Sequence, residues 1–461
     1  MWIYFHTPYK EFFIKQLLTG TLICVFVFAA CDATVSGTVP IDDISGSNND
    51  DPNINPTIDP PTIDPPVDPP VDPWSFPVVT KLWEPGEYID DEGTTVTGAY
   101  PIDNWRQLQF ISETFLEDNT LLTHTYYLTD DITFPSRDTD VPDEHNNDTY
   151  VTAGWTPIGL YSLPFTGNFD GQGFAVTDIS IIQNVNYSND KIMGLFGRIG
   201  DDNNVPVEDR PLIRNLTLRN VNMTVTGLTG TTAIGSLAGE ISYTVVKKIT
   251  VENGSIQGTA FETGGLIGKA SNSDISHSGA SASVTGQGSL GGLIGSAVGS
   301  TVQLCYATGD VTGTHNGVGG LVGSLLFGST IENTYALGTV STSDSGVSGL
   351  AGFTVASTIT TSYSRSRVFA PEYVGGLIGY ISDLSLYPPR NNFWDPSANS
   401  GTPPSGIYPS YGIGNEGNNN GATPLTSPTS ASFTGFVFST TEGWNTPADG
   451  EWPTLYWQEE N

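Results

Sequence analysis

The chain has 461 residues, with 49 Asp and Glu against 16 Lys and Arg, a formal net charge of −33 at pH 7. That balance excludes nucleic acid, whose phosphates need Lys and Arg to displace their counterions, and it excludes electrostatic adhesion to an anionic bilayer. A strongly negative chain is kept soluble by its charge, which says nothing about its fold.

Lys10 and Lys15 open the N-terminal segment, an apolar run from Leu17 to Phe28 follows, and Ala29-Ala30 end it. A basic start, a short apolar stretch and small residues before a cleavage point predict a secretion signal over 1–30, too short for a membrane span. Phe28-Ala29-Ala30-Cys31 resembles the lipobox of bacterial lipoproteins, with Phe28 in place of the more usual Leu. The resemblance implies that Cys31 becomes the acylated first residue of the mature chain; an ordinary signal peptide with an incidental cysteine is the alternative. Removal of Cys24 with the signal leaves Cys305 without a disulfide partner in the folded part. Cys305 stands where neighbouring repeats carry Thr334 and Ser362, which predicts a small packing residue and not a nucleophile.

From Asp32 to Pro73 there are nine Asp, ten Pro and no basic residue, with the near-repeats Ile58-Asp59-Pro60-Pro61, Ile63-Asp64-Pro65-Pro66 and Val67-Asp68-Pro69-Pro70. Such a segment cannot build a core, and proline with like-charge repulsion keeps it extended. As polyproline II at about 3.1 Å per residue it reaches on the order of 100 Å. With the connecting segment to Thr97 it makes 31–97 an acidic stalk, or, if less stiff, a plain linker.

The segment 98–185 is expected to hold an N-terminal cap and the first coils of a repeat fold. Trp105, Leu108, Phe110, Ile111 and Phe115 recur at approximately helical intervals, with Asp103 placed to cap the helix. Tyr126-Tyr127-Leu128 reads as a strand. In Phe169-Asp170-Gly171 the Asp-Gly pair is turn chemistry, and no second carboxylate is spaced reproducibly beside Asp170 to make it catalytic.

Over 186–390 Gly-Leu units recur, their leucines at Leu195, Leu237, Leu266, Leu293, Leu321, Leu350 and Leu377, with intervals of 42, 29, 27, 28, 29 and 27. Val302, Ile331 and Ile359 keep the same step, as do Tyr306, Tyr335 and Tyr363, and Val311, Val340 and Val368. A fixed period near 28 marks stacked units, none of which can bury its apolar side until a copy lies on it. Each unit offers three short β-prone runs broken by Gly, Ser, Thr, Asn and Asp, and none with helical periodicity. The expected fold is all-β, a parallel β-helix (β-solenoid) with irregular caps at both ends, each strand pairing with its equivalent about 4.8 Å away. Leucine, Val/Ile and Tyr columns are placed inside. The glycines serve either positive φ or close approach of coils. No proline occurs from Leu212 to Ala370, as continuous pairing requires.

Phe165-Thr166-Gly167-Asn168-Phe169-Asp170-Gly171-Gln172-Gly173, then Gly194-Leu195-Phe196-Gly197 and the Gly-Gly-Leu-(Ile/Val)-Gly units such as Gly265-Leu266-Ile267-Gly268, resemble the GLUG-repeat proteins of bacterial surfaces over about Trp155 to Tyr380. The resemblance implies a β-solenoid in secreted or surface proteins, among them adhesin-like chains and the non-catalytic parts of surface peptidases. Gly235-Ser236-Leu237-Ala238-Gly239 and Ser348-Gly349-Leu350-Ala351-Gly352 each lose one paired glycine, and local corner distortion is expected there.

The segment 391–461 is irregular and rich in tryptophan, as befits a cap over unpaired strand edges. Little in the chain suggests chemistry. Between Gly264 and Ala370 the acids are Asp274, Asp310, Glu332 and Asp344, at unrelated repeat positions, so no carboxylate pair for glycoside cleavage emerges. His6, His124, His145, His277 and His315 are scattered, without a His-Glu-x-x-His, and no phosphate loop or calcium-loop motif occurs. We therefore expect no catalytic residue, no metal and no cofactor. The reading is a non-catalytic lipoprotein of the bacterial envelope, anchored at Cys31 in the outer membrane and surface-exposed. Its solenoid would offer repeated Ser, Thr and Asn groups to a host protein or polysaccharide. A surface polysaccharide lyase or hydrolase of the β-helix type is the alternative.

Overall fold

The computed structural model describes residues 76–136, 154–184, 191–201, 205–226 and 232–459. The expected signal peptide, Cys31 and the expected stalk through 75 lie outside the described residues. Nearly all of the remainder is one parallel β-solenoid, as the period predicts, built of two sheets.

Register shows directly how like residues stack. In the first sheet one column runs Tyr100, Tyr126, Phe169, Ile213, Val246, Ile275, Val302, Ile331 and Ile359. In the second, Met193, Ile234, Thr263, Leu290, Val318, Val347 and Val374 form another. The repeated leucines form a third interior column, each of Leu237, Leu266, Leu293, Leu321 and Leu350 donating its N–H to the next leucine's carbonyl at 2.9–3.1 Å. All are fully buried. One coil contains five strands instead of the expected three, for example Glu262–Gly264, Ile267–Ser271, Asp274–Ser276, Gly279–Ala280 and Ser283–Gly286. One corner of each coil is left-handed: Lys248, His277, Leu304, Asn333, Thr361 and Asn391 occupy equivalent positions with φ between 46° and 56°.

Of the two roles open to the paired glycines, close approach is the one found. A Cβ on Gly265 would lie 2.1 Å from the Gly292 carbonyl, on Gly292 2.2 Å from that of Gly320, and on Gly320 2.1 Å from that of Gly349. None of these has positive φ. Where a glycine is lost, the distortion expected at the corner does not reach the ladder: Leu237 and Leu350 remain buried and paired. The cost is instead a buried hydroxyl without a hydrogen-bond partner, at Ser236 and at Ser348.

Two polar columns hold the corners of the first sheet. Thr244, Ser273 and Ser300 each donate a backbone N–H, at 3.1 Å, to the hydroxyl of Ser273, Ser300 and Ser329 one coil on. In the second column Ile249 N–H donates to Ser278, Thr334 N–H to Ser362 and Ser362 N–H to Asn392, at 3.0–3.1 Å. Cys305 belongs to this column. Its thiol donates to the Gln303 carbonyl at 3.1 Å, and burial pushes its pKa up to about 12, so it is an inert packing residue.

The N-terminal end of the core is sealed by helix α1, Trp105–Thr114, which buries Trp105, Leu108 and Ile111 together with Phe115 just beyond it. Its cap is Asn104, not Asp103. The Asn104 side chain accepts from Arg106 N–H at 3.0 Å and Gln107 N–H at 3.3 Å, and the Gln107 side chain accepts from the Asn104 N–H, completing a capping box. Before the helix, an antiparallel hairpin of Gly86–Ile89 and Thr95–Ile102 carries Asp90-Asp91-Glu92 at its tip. Arg214 bonds Asp90 at 2.9 Å, Asp91 at 3.2 Å and Asp170 at 2.7 Å, while Lys248 reaches Asp91 at 2.6 Å and Lys247 reaches Glu92 at 3.2 Å.

The tyrosine column does not face the interior. Cys305 and Ala307 point into the core, so alternation turns Tyr306 outward, and Tyr335 and Tyr363 with it. The three rings stack at 5.5 and 5.2 Å and form a second core with the C-terminal segment. Here 391–461 divides. Asn392–Trp394 and Ala422–Pro424 continue the first sheet, whereas the chain from Phe433 to Trp457 doubles back along the tyrosine face. Trp457 Nε1 donates to the Leu304 carbonyl at 3.0 Å, Trp444 Nε1 to Asn333 at 3.2 Å, and the Tyr363 hydroxyl to the Pro453 carbonyl at 2.7 Å. The segment is thus a strap along one side as well as an end cap.

Leu293→Ala should lose about 2–5 kcal/mol of stability by leaving a cavity. Gly292→Ala should lose a further coil contact by steric conflict, about 1–3 kcal/mol or more; both are read as lowered melting temperatures, and an unchanged melt for Gly292→Ala contradicts the close-approach role. At the strap, His277 Nε2 lies 3.0 Å from the Tyr456 hydroxyl, and burial, then the charges of Lys247 and Lys248, hold its pKa down at about 4. An unfolded His takes its proton near 6.5. Stability of the strap therefore falls as pH drops from about 6.5 towards 4. Tryptophan fluorescence should report earlier strap release in acid, and His277→Asn, which tolerates the left-handed corner, should remove that pH dependence.

Candidate functional site

In each coil the second sheet consists of two strands joined through the Gly-Leu unit, and these two strands fold tightly on each other. A Cβ on Gly268 would meet the Ile234 N–H at 2.5 Å, and one on Gly295 would meet that of Thr263 at 2.5 Å. The outer surface is therefore a crease with two walls. Along one wall the register places Arg198, Glu240, Lys269, Ser296, Ser324, Phe353 and Tyr380 in one column. Along the other it places Glu262 beside Ser289, followed one and two coils on by Gly317 and Gly346. The walls touch, since the Ser289 and Ser324 hydroxyls are 2.6 Å apart. At about 4.8 Å per coil, Glu240 and Tyr380 are separated by roughly 24 Å along the axis.

The crease ends differ in chemistry. At one end Lys269 Nζ lies 3.7 Å from Glu240, and Glu262 is close enough for both charges to act on it. Lys269 thus stands between two carboxylates, and Arg198 lies beside Glu240 one coil earlier. Burial raises the Glu262 pKa to about 7; Lys269 opposes the rise and Glu240 adds to it. Glu262 Oε2 is buried and has no hydrogen-bond partner among the described residues. At the other end the Phe353 and Tyr380 rings stack at 4.9 Å, and Tyr373 and Tyr411 are exposed. Burial raises the Tyr380 pKa, as do the nearby charges of Glu416 and Tyr373.

Glu240 and Glu262 lie just before the acid-poor stretch from Gly264 to Ala370. The signal was present: Glu240 precedes Lys269 by 29 residues, one repeat, which stacks opposite charges on adjacent coils. The four acids within that stretch do not come together. Asp274 pairs with Arg210 at 3.0 Å, Asp310 accepts from the Thr339 N–H at 2.6 Å, and Glu332 and Asp344 are exposed. Asp170 makes the turn read from its Asp-Gly pair, accepting from the Gln172 N–H at 2.9 Å, and also binds Arg214. His124 packs on Tyr100 at 4.8 Å, and His315 meets the Thr314 hydroxyl at 3.0 Å. Cys31, His6 and His145 lie outside the described residues, among which no three metal-ligating side chains gather into a possible ion site.

No protein-family model matches the chain. A stretch of 101 residues is 34% identical to a protein of Evansella cellulosilytica named as a Gly-rich membrane protein, covering 22% of this chain and 10% of that relative's length. Among solved structures, the chain is similar to a Bacteroides ovatus protein described as an immunoglobulin A1 protease. That likeness has a TM-score of 0.42 and 16% identity, and covers 78% of this chain and 93% of the other. A second structure, named IgA1 protease, gives a TM-score of 0.39 at 18% identity over 62% of this chain and 20% of its own.

The perturbed carboxyl yields a signed expectation. An unfolded Glu262 ionises as pH rises through about 4.5, whereas the folded one keeps its proton until about 7. Stability is therefore lost between these values and stays lower above them. Glu262→Gln should melt like the parent at pH 4 and higher than it at pH 8, by up to roughly 3 kcal/mol; equal melts at pH 8 would contradict the buried, unpartnered placement.

Proposed function

We propose that this chain is a non-catalytic surface lipoprotein of the bacterial envelope, held at Cys31, extended on its acidic stalk, and presenting the solenoid as a rigid binding rod. The observation that carries this reading is the parallel stack, in which a single column of described residues runs in register from Tyr100 to Ile359. The stretch shared with a Gly-rich membrane protein agrees with a place at the membrane. The repeated hydroxyls are not all on offer, however. Ser273, Ser278, Ser300, Ser329 and Ser362 are spent in the buried corner columns, so display falls to outward residues such as Thr285 and Thr312 and to the crease.

A second reading, a polysaccharide hydrolase or lyase, gains one observation from Glu240 and Glu262, a carboxylate pair with one member titrating about 7. Incubation with polysaccharides, assayed for new reducing ends and unsaturated products, separates the two. We expect no cleavage; turnover abolished by Glu262→Gln would replace the non-catalytic reading. Mass spectrometry of the mature N-terminus should find acylated Cys31, and protease added to intact cells should remove the solenoid. An unmodified N-terminus or a protected solenoid would refute the anchored, exposed placement.

A further inference from the structure

The corner columns bury the repeated serines and the second sheet folds shut on itself, but the last strand of each coil in the first sheet keeps one face open to solvent. Its outward column runs Thr224, Gln257, Thr285, Thr312, Ser341 and Phe369, in register coil by coil. A second outward column, two residues earlier on each strand, runs from Asn222 through Ser283 to Thr339. Between them Met223, Ile256, Val284, Val311 and Val340 point into the core and fix both columns from beneath. No bulge interrupts these pairings, so the face is even, with columns about 7 Å apart and a repeat of about 4.8 Å. We propose that this face binds the flat surface of a packed, neutral polysaccharide, its Ser, Thr and amide groups bonding the sugar hydroxyls. The proposal rests on the binding-rod reading and names the ligand class and the face.

Charge decides against most other partners. In a chain with 49 acidic residues, the two columns from Asn222 to Ser341 hold a single carboxylate, Asp310, and it already accepts the Thr339 N–H at 2.6 Å. A polyanion is repelled by the net charge of −33, and a basic protein surface finds almost nothing here to pair with. A tight protein interface needs aromatic or Arg anchors near its centre. The anchors present, Phe369 and Arg367, stand at one end of the face, where Tyr408 packs on both and its hydroxyl accepts from Arg367 at 2.6 Å. A peptide strand adds to an open edge, whereas these strands are paired on both sides. A free sugar needs a concavity that buries most of it, which an even sheet face lacks. An extended neutral surface with its own array of hydroxyls meets all of these constraints. Each bond to it is weak, and the sum over successive coils makes the binding. The rigid interior holds the groups in place beforehand, so little freedom is lost on contact.

The test is depletion of the full-length protein from solution by insoluble cellulose, chitin and curdlan, with a polygalacturonate gel and immobilised host-matrix proteins as the other classes. Saturable binding to at least one neutral polysaccharide is expected, undisturbed by an excess of its soluble oligomers. Thr285→Glu combined with Thr312→Glu sets unpaired carboxylates against the ligand, and should weaken binding at least about tenfold while melting near the parent. Thr285→Ala alone should weaken it about threefold, and Thr441→Glu, on the exposed side of the strap, should leave it unchanged. Binding that survives the paired Glu variant, or that falls equally with Thr441→Glu, overturns this face and leaves the rod reading intact. Displacement by soluble oligomers, or tighter binding to polygalacturonate or a matrix protein, overturns the ligand class. Saturable binding to none of these overturns both the face and the rod reading.

Discussion

In a parallel stack each side chain rests on its own counterpart about 4.8 Å away, so a residue is tolerated only if it suits a copy of itself or a near relative. Aliphatic columns satisfy this rule by packing, and serine columns satisfy it by passing hydrogen bonds from coil to coil. Glycine satisfies it by letting backbones meet. Charge does not, because like charges at such spacing repel in a poorly solvated wall. The acids are accordingly sparse from Gly264 to Ala370, and where charges do stack they alternate or are answered from elsewhere. Arg219 lies beside Glu252, and Glu240 beside Lys269. Arg214 and Lys247, like charges in register, are met by Asp90, Asp91 and Glu92 of the hairpin.

That last group explains why the hairpin belongs to the fold. The Arg214 bond and the Thr94 and Glu92 amides hold the Asp90 carboxyl below its ordinary value. Asp91 is lowered as well: burial pushes it up, but bonds from Lys248 and Asn215 and the charges of Lys248 and Arg214 outweigh this. The two acids thus stay ionised down to low pH and keep the basic column covered. On the opposite account, an uncovered aromatic column would be a sticky stripe along the rod, and the C-terminal strap answers it in the same way. The strap meets the solenoid through side-chain bonds and ring contacts, with Trp444 fully buried.

Period alone made much of the solenoid legible. Equal intervals between leucines, and between Val302, Ile331 and Ile359, can arise only if equivalent residues share an environment, and these columns are indeed interior. Periodicity does not say which environment. The tyrosines keep the same step yet face outward, because orientation is fixed by Cys305 and Ala307 on either side, and the partner that covers them lies about 90 to 150 residues further along the chain. The crease was hidden for a related reason. Glu240 and Glu262 come from opposite walls of one fold in the sheet, and no linear spacing marks two strands that turn back on each other through Gly-Leu.

The column that forms one wall of the crease departs from the stacking rule more than any interior column. It passes through Arg198, Glu240, Lys269, Ser296, Ser324, Phe353 and Tyr380, changing from cation to acid to cation to hydroxyl to aromatic ring, while the leucine column beside it never changes. Freedom to vary in this way belongs to side chains that are not needed to hold the coils together. The crease also brings Glu240 and Glu262 together from its two walls and carries the stacked Phe353 and Tyr380 rings farther along. A rod whose interior is uniform can vary its chemistry only in such outward columns, and not in the repeated serine hydroxyls, which the corner columns bury.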